Sequence, residues 1–407
     1  MTRMDIPEGF KQTEVGVIPS DWEVRKLTDI GEIIIGLTYS PSNVKPYGTI
    51  VLRSSNIQNG KLAFKDNVYV VMDLPNRVIV KRNDILICVR NGSRQLIGKC
   101  ALIDEETAGS AFGAFMSVFR SEFAIFAFHQ FQYFIIQKQI NEVLGATINQ
   151  ITNKDLASFK IPLPSTKTEQ TAIATALNDA DQLITQLEQL IAKKRNIKQG
   201  AMQTLLKPKE GWGVRKLGEI GECIIGLTYS PKNVSNDGKL VLRSSNIKGN
   251  KIAYDDNVFV NIEVPEKLIT KKGDILICVR NGSRNLIGKC AYIEGRSVGE
   301  SFGAFMSVFR SPYNDYVFHV FQSNIIKLQI DEQISATINQ LTNKNLNSFE
   351  IPFPKPEEQT QIAQILTDMD TELEALEQKL AKYRMLKQGM MQTLLTGKTR
   401  LVKPSPT

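Results

Sequence analysis

Residues 84–94 read DILICVRNGSR, and residues 274–284 read DILICVRNGSR again without a change. Outward from that pair, the whole chain proves to be written twice. FGAFMSVFRS at 112–121 returns at 302–311, ATINQ at 146–150 returns at 336–340, and WEVRKL at 22–27 returns as WGVRKL at 212–217. The offset is 190 positions and falls to 189 after Pro164, so that KQGAMQTLL at 198–206 matches KQGMMQTLL at 387–395. Units this large are a duplicated domain rather than a solenoid of short repeats.

Each unit has two parts. The first reads as mixed α and β: short β-rich runs at 33–35, 49–52, 67–72 and 85–89 alternate with turn signals such as SPSN and NGS, and a helical stretch follows over 122–144. Prolines at 162 and 164, and at 352, 354 and 356, then break the chain. The second part is one long helix, about 168–206 and again 357–395. Its apolar residues keep a 4,3 spacing: Ile173, Leu177, Ala180, Ile184, Leu187 and Ile191, matched by Ile362, Leu366, Met369, Leu373, Leu376 and Leu380. That period is a coiled-coil seam, interrupted at Lys194 and Tyr383, while Leu183, Leu190 and Ile197 widen the stripe. A helix serving only its own domain is the other reading, but 39 residues span roughly 58 Å, more than a small domain's width.

The expected fold is therefore α+β, with a pseudo-twofold internal repeat. Globular domains at 1–164 and 207–354 alternate with spacer helices at 165–206 and 355–400, and 401–407 form a tail. Antiparallel pairing of the helices as a coiled coil would set the two globular domains at opposite ends of a ruler.

Composition narrows the function. The 407 residues are 42% hydrophobic and 23% charged, an ordinary globular balance, and no apolar run reaches the roughly 20 residues a bilayer needs. A cytoplasmic protein is expected. The net charge of +8 points to a polyanionic partner. The five cysteines, 88, 100, 223, 278 and 290, follow no metal spacing and read as packing residues, and His129 and His319 read as core or half-buried. No metal site is expected. There is no [DN]PP[YFW] motif for amino methylation and no glycine-rich cofactor loop; the tail TGKTR fails as a phosphate loop because Gln392 stands where its first glycine belongs. The chain carries no visible catalytic residues.

Side chains that grip base edges are Arg for guanine and Asn or Gln for adenine. Two loop segments offer them: Arg90, Asn91 and Arg94 with their copies Arg280, Asn281 and Arg284, and Asn149 and Gln150 with Asn339 and Gln340. Arg53 and Asn56 with Arg243 and Asn246, and Tyr39 with Tyr229, are weaker candidates. Asn-Gly is also a strong hairpin signal, so Asn91 reads equally as a turn residue, and Asn149 as a loop brace. Lys99 and Arg120 read as phosphate contacts or solvated surface. The helix between the loops has drifted between copies, EFAIFAFHQFQYF against PYNDYVFHVFQSN, while the loops have not.

The order domain, helix, domain, helix resembles the specificity subunits of type I restriction–modification systems. GFKQTEVGVIPSDWEVRKLTDI (9–30) is similar to that family's opening segment, and NDILICVRNGS (83–93) and GDILICVRNGS (273–283) to its central strand and turn. NKDLASFKIPLPSTKTEQTAIATAL (153–177) resembles its junction into the spacer helix, and LKQGMMQTLLTGKTRL (386–401) its C-terminal end. The resemblance implies a non-enzymatic reader of double-stranded DNA, acting in host defence. Two adenine-N6 methyltransferase subunits would clasp the helices, and restriction subunits would complete the complex. S-adenosylmethionine, ATP and magnesium would sit on those partners, and this chain would hold no cofactor. Near-identical units imply an interrupted palindrome as target. The alternatives are a symmetric DNA-binding regulator without a methyltransferase, a nuclease using Asp84 and Asp274, and a coiled-coil scaffold; the isolated chain could also self-associate.

Overall fold

The repeated run ILIC forms the strand Ile85–Cys88 in one unit and Ile275–Cys278 in the other. The structure is a computed structural model and describes residues 6–146, 149–335 and 339–402. Alternate residues of a strand face opposite sides of its sheet, and here both sides are covered. Ile85 and Ile87 enter a core shared with helices, while Leu86 and Cys88 enter a second core against another sheet. All four are fully buried, which is why the run is apolar at every position instead of alternating. The five cysteines are buried thiols, Cys100 and Cys290 pushed up to about 12 by burial.

The chain divides into two compact units, residues 1–188 with 379–407 and residues 189–378. In the first, an antiparallel sheet runs in the order Cys100–Leu102, Ile85–Cys88, Met116–Arg120, Glu32–Ile35. A second sheet has the order Ala111–Phe112, Thr49–Leu52, Tyr69–Val70, Val44–Lys45, with the first two strands parallel. A two-stranded ribbon, Glu23–Lys26 with Lys160–Leu163, joins the start of the globular part to its end. The second unit repeats both sheets and the ribbon. The helix expected over 122–144 is two helices, Ala124–Gln132 and Phe134–Ala146, because the backbone at Tyr133 is extended. That break lets Phe128 and Phe131 of one helix and Ile136 and Ile140 of the next pack into the same core.

Arg120 is not a surface cation. Its guanidinium grips both oxygens of buried Asp84 at 2.8 and 2.7 Å and donates to the Ile79 carbonyl. Arg310 and Asp274 repeat this. Each carboxylate is thus consumed by a structural ion pair, which removes the nuclease reading of Asp84 and Asp274. Among the described residues no group of three or more His, Cys, Asp or Glu side chains is placed to hold a metal ion, and no helix is long and apolar enough to cross a membrane.

The long helices are Lys167–Leu205 and Pro356–Leu394, and the division into units falls inside both. In the first unit, Lys387 pairs with Asp181 at 2.6 Å and Arg384 with Glu188 at 2.8 Å; one number falls as the other rises, so the helices run antiparallel. In the second unit Lys198 pairs with Asp370 at 2.5 Å and Arg195 with Glu377 at 2.6 Å. The seam has two employments. Ile184, Leu187, Ile191 and Leu373 are buried along the helices, and Leu376 and Leu380 half-buried. Ile173 and Leu177 instead join the globular core of the first unit together with Met391, Leu394 and Leu395, and Ile362 and Leu366 join that of the second with Leu206. The two readings of the stripe, seam and domain packing, thus hold on different turns of one helix. Around Trp22, whose indole N–H donates to Glu169 at 3.2 Å, Arg400 pairs with both Asp21 and Glu169.

Both histidines are buried against a long helix. His129 Nε2 lies 3.1 Å from Asn178 Oδ1, beside the Lys387–Asp181 pair, and His319 Nε2 lies 3.0 Å from Thr367, beside Lys198 and Asp370. Burial, reinforced by the neighbouring lysine, pushes both imidazoles down to about 4. The unfolded chain takes up these protons at an ordinary value near 6.5, so the stability held above that pH is lost as pH falls toward 4, by a few kcal/mol at most. Urea unfolding at steps between pH 7 and 4.5 should show this slope, and His129→Gln with His319→Gln should flatten it; an unchanged slope in the double variant refutes the assignment.

Candidate nucleic-acid interface

Where the central strand ends, three loops meet. The amides of Val89 and Arg90 both donate to the Phe115 carbonyl, at 3.0 and 3.2 Å, and the amide of Ile151 donates to the Val89 carbonyl at 2.8 Å. Arg90 also forms an antiparallel bridge with Gln150. Asn91 then closes the turn: its Oδ1 accepts from the Ser93 amide and its Nδ2 donates to Ser54, both at 3.0 Å. Asn149 sits at φ +42°, a conformation asparagine tolerates better than most residues, and its Nδ2 donates to the Gly92 carbonyl at 3.3 Å. The second unit repeats each of these contacts with Val279, Arg280, Asn281, Ser283, Ser244, Phe305, Asn339, Gln340 and Leu341. The structure thus brings together the 53–56, 90–94 and 149–150 segments that the sequence singled out. Thr147 and Ile148, and Thr337 and Ile338, lie outside the described residues.

The candidates are not equally placed. Asn56 and Asn246 are completely buried and engaged with their own loops: Asn56 accepts from the Arg53 amide and donates to the carbonyl of Ala63 and to Asn67. They cannot reach a base edge and are corrected to loop braces. Asn91 and Asn281 each spend one donor and one acceptor of the side-chain amide on their own loop, as the turn reading has it. Tyr39 and Tyr229 are half-buried and pack on the sheet cores. Arg53 and Arg243 pair with Asp66 at 2.9 Å and Asp256 at 2.8 Å. Arg94 is exposed and reaches the Asn141 carbonyl at 3.5 Å; Arg284 reaches the Asp331 carbonyl at 3.2 Å. Gln150 and Gln340 hold the backbone bridges opposite Arg90 and Arg280.

Arg90 and Arg280 stand out. Each is exposed, and its guanidinium lies over the ring of Phe115 or Phe305, 5.1 and 5.0 Å from the centroid. Those rings are 56% and 55% exposed, unusual for phenylalanine. The sequence reading passed over Phe115 because it lies within the repeated FGAFMSVFRS, which looks like one core strand. The strand begins only at Met116, after a turn closed by the Met116 amide donating to the Gly113 carbonyl at 2.8 Å. Gly36 crosses that turn so closely that a Cβ on it would lie 2.1 Å from the Gly113 oxygen. The verbatim return of GAF in both copies was the available signal.

Asn56→Ala with Asn246→Ala should cost about 1–3 kcal/mol per site, since each leaves buried backbone groups unpaired, and should leave sequence preference intact. Urea unfolding together with DNA selection checks this; altered base preference at undiminished stability would return these asparagines to the interface.

The model of the type I restriction modification DNA specificity domain matches residues 19–199 and 209–382. The chain is 28% identical, over 97% of both chains, to a protein of Methanocaldococcus jannaschii provisionally named type I restriction enzyme MjaX specificity subunit. It is 27% identical to the type I restriction enzyme EcoKI specificity subunit of Escherichia coli, over 69% of this chain and 66% of that one. The crystal structure of the type I restriction–modification S subunit from M. genitalium covers 96% of this chain and 98% of its own, at 17% identity and a TM-score of 0.61.

Proposed function

The chain belongs to the type I restriction modification DNA specificity family, and on that premise we propose how its two units divide the reading of a DNA site. As the sequence-specificity subunit of a type I restriction–modification complex, it selects the DNA on which its partners act. The observation that carries the proposal is the duplicated loop platform: the residues at 90–94, 115 and 149–150 return unchanged at 280–284, 305 and 339–340, with the same hydrogen bonds. Readers with the same side chains select the same bases, so the target has two equal halves and is an interrupted palindrome. Exposed Arg94 and Lys99 and their copies flank the reading loops and serve as phosphate or base contacts.

The chemistry is assigned to partners. S-adenosylmethionine is held by two methyltransferase subunits that modify adenine at N6, and ATP and magnesium by the restriction subunits. Support for docking on the helices comes from apolar side chains left exposed there: Leu190 and Ile197 in one unit, Met385 and Leu386 in the other, Ile197 and Leu386 at one repeat position. Their place on the spacer helices supports a docking surface there.

Co-expression with a type I methyltransferase subunit, followed by genome-wide mapping of modified adenines, tests the reading. The expected result is methylation at an interrupted palindrome only when both chains are present. An asymmetric bipartite site would overturn equal reading, and no methylation beside an active methyltransferase would favour the regulator. Ile197→Glu with Leu386→Glu should lower methyltransferase co-purification at least tenfold while the chain stays folded; undiminished co-purification would place the docking surface elsewhere.

A further inference from the structure

Most arginines duplicated in the repeat are already engaged within the protein. Arg53, Arg94 and Arg120 and their copies reach carboxylates or carbonyl oxygens in both units. Among the described residues, Arg90 and Arg280 are the duplicated arginines whose guanidinium groups meet no such partner in either copy; what they meet is an exposed phenyl ring. An exposed ring under an uncommitted guanidinium, placed identically twice, is costly for stability alone: the exposed cation–π contact returns only about 0.5–1 kcal/mol.

Resting on the DNA-reading role above, we propose that Arg90 and Arg280 each read a guanine, one in each half-site, and that Phe115 and Phe305 are positioning residues that hold the guanidinium plane for it. The backbone at Arg90 is fixed from both sides, by its amide on the Phe115 carbonyl and by the bridge to Gln150. The ring then restricts the side chain above that fixed point. A planar fork held this way suits two parallel hydrogen bonds to guanine O6 and N7. A phosphate contact needs no such support, because a phosphate accepts from many directions. The exposed ring beside the fork provides an apolar surface for a neighbouring thymine methyl.

The test uses the co-expressed specificity and methyltransferase chains, with methylome mapping and competition binding to DNA carrying each base at each recognised position. The wild-type complex should recognise a guanine at equivalent positions of both halves. Arg90→Ala alone should relax that position in one half only, with a roughly 10- to 100-fold loss of discrimination, and Arg280→Ala should do the same in the other half. Phe115→Leu, which keeps the volume apolar, should weaken discrimination at the same position and nowhere else. A wild-type motif without guanine in its half-sites, or an Arg90→Ala complex that loses affinity evenly for all sequences, overturns the proposal. A wild-type complex with no recognised motif instead sinks the specificity role itself. Variants are scored only where cooperative unfolding and methyltransferase co-purification match wild type, and Arg90→Lys, which keeps the charge but loses the planar fork, serves as the second variant: full discrimination with lysine overturns the ring-held fork.

Discussion

The burial of one short strand on both faces governs the rest of each globular part. Ile85–Cys88 has no side exposed to water, so its register is fixed by apolar contacts from two directions, and a slip of one residue would exchange the two cores. Everything beyond Cys88 inherits that precision. The Phe115 carbonyl holds Val89 and Arg90, the Val89 carbonyl holds Ile151, and the loops bearing polar side chains hang from these bonds. Loops usually carry function because a rigid scaffold positions them, and here the scaffold is a strand whose sequence is identical in both copies.

The buried pair of Asp84 and Arg120 secures the same sheet from its other end. It joins the residue preceding the central strand to the last residue of the neighbouring strand, and draws in the Ile79 carbonyl. Removing one partner of such a pair leaves an uncompensated charge, so it acts as a register pin more than as a source of net stability. The histidines sit where a short helix meets a long one, and burial there holds their pKa down.

How much of this the sequence disclosed depends on how local the cause is. The duplication was legible because the two copies match residue for residue, and the central strand, the turn at Asn91 and the long helices because each is announced by neighbours within a few residues. The role of Asn56 was not: its partners, Ala63 and Asn67, lie across a loop closure that no short motif announces. Phe115 was hidden in an apolar run because a turn at Gly113 separates it from the strand it appears to begin. The heptad stripe showed that Ile173 and Ile362 are buried, but a periodicity names a face and not its partner. Arg90 and Arg94 looked alike in the sequence, and only their contacts, a phenyl ring for one and a carbonyl for the other, distinguish them.

The first unit is discontinuous in the chain. Its core holds Trp22 and Phe131 together with Met391, Leu394 and Leu395, and Arg400 fastens to Asp21 and Glu169. The second unit is one uninterrupted stretch, residues 189–378. On a ribosome, where chains usually fold from the N-terminus onward, this order is inverted. The earlier-made globular part emerges first yet lacks the helix end that covers its core, while the later-made part has all its pieces sooner. Translation past residue 379 therefore works as a timer: the half born first is the half completed last.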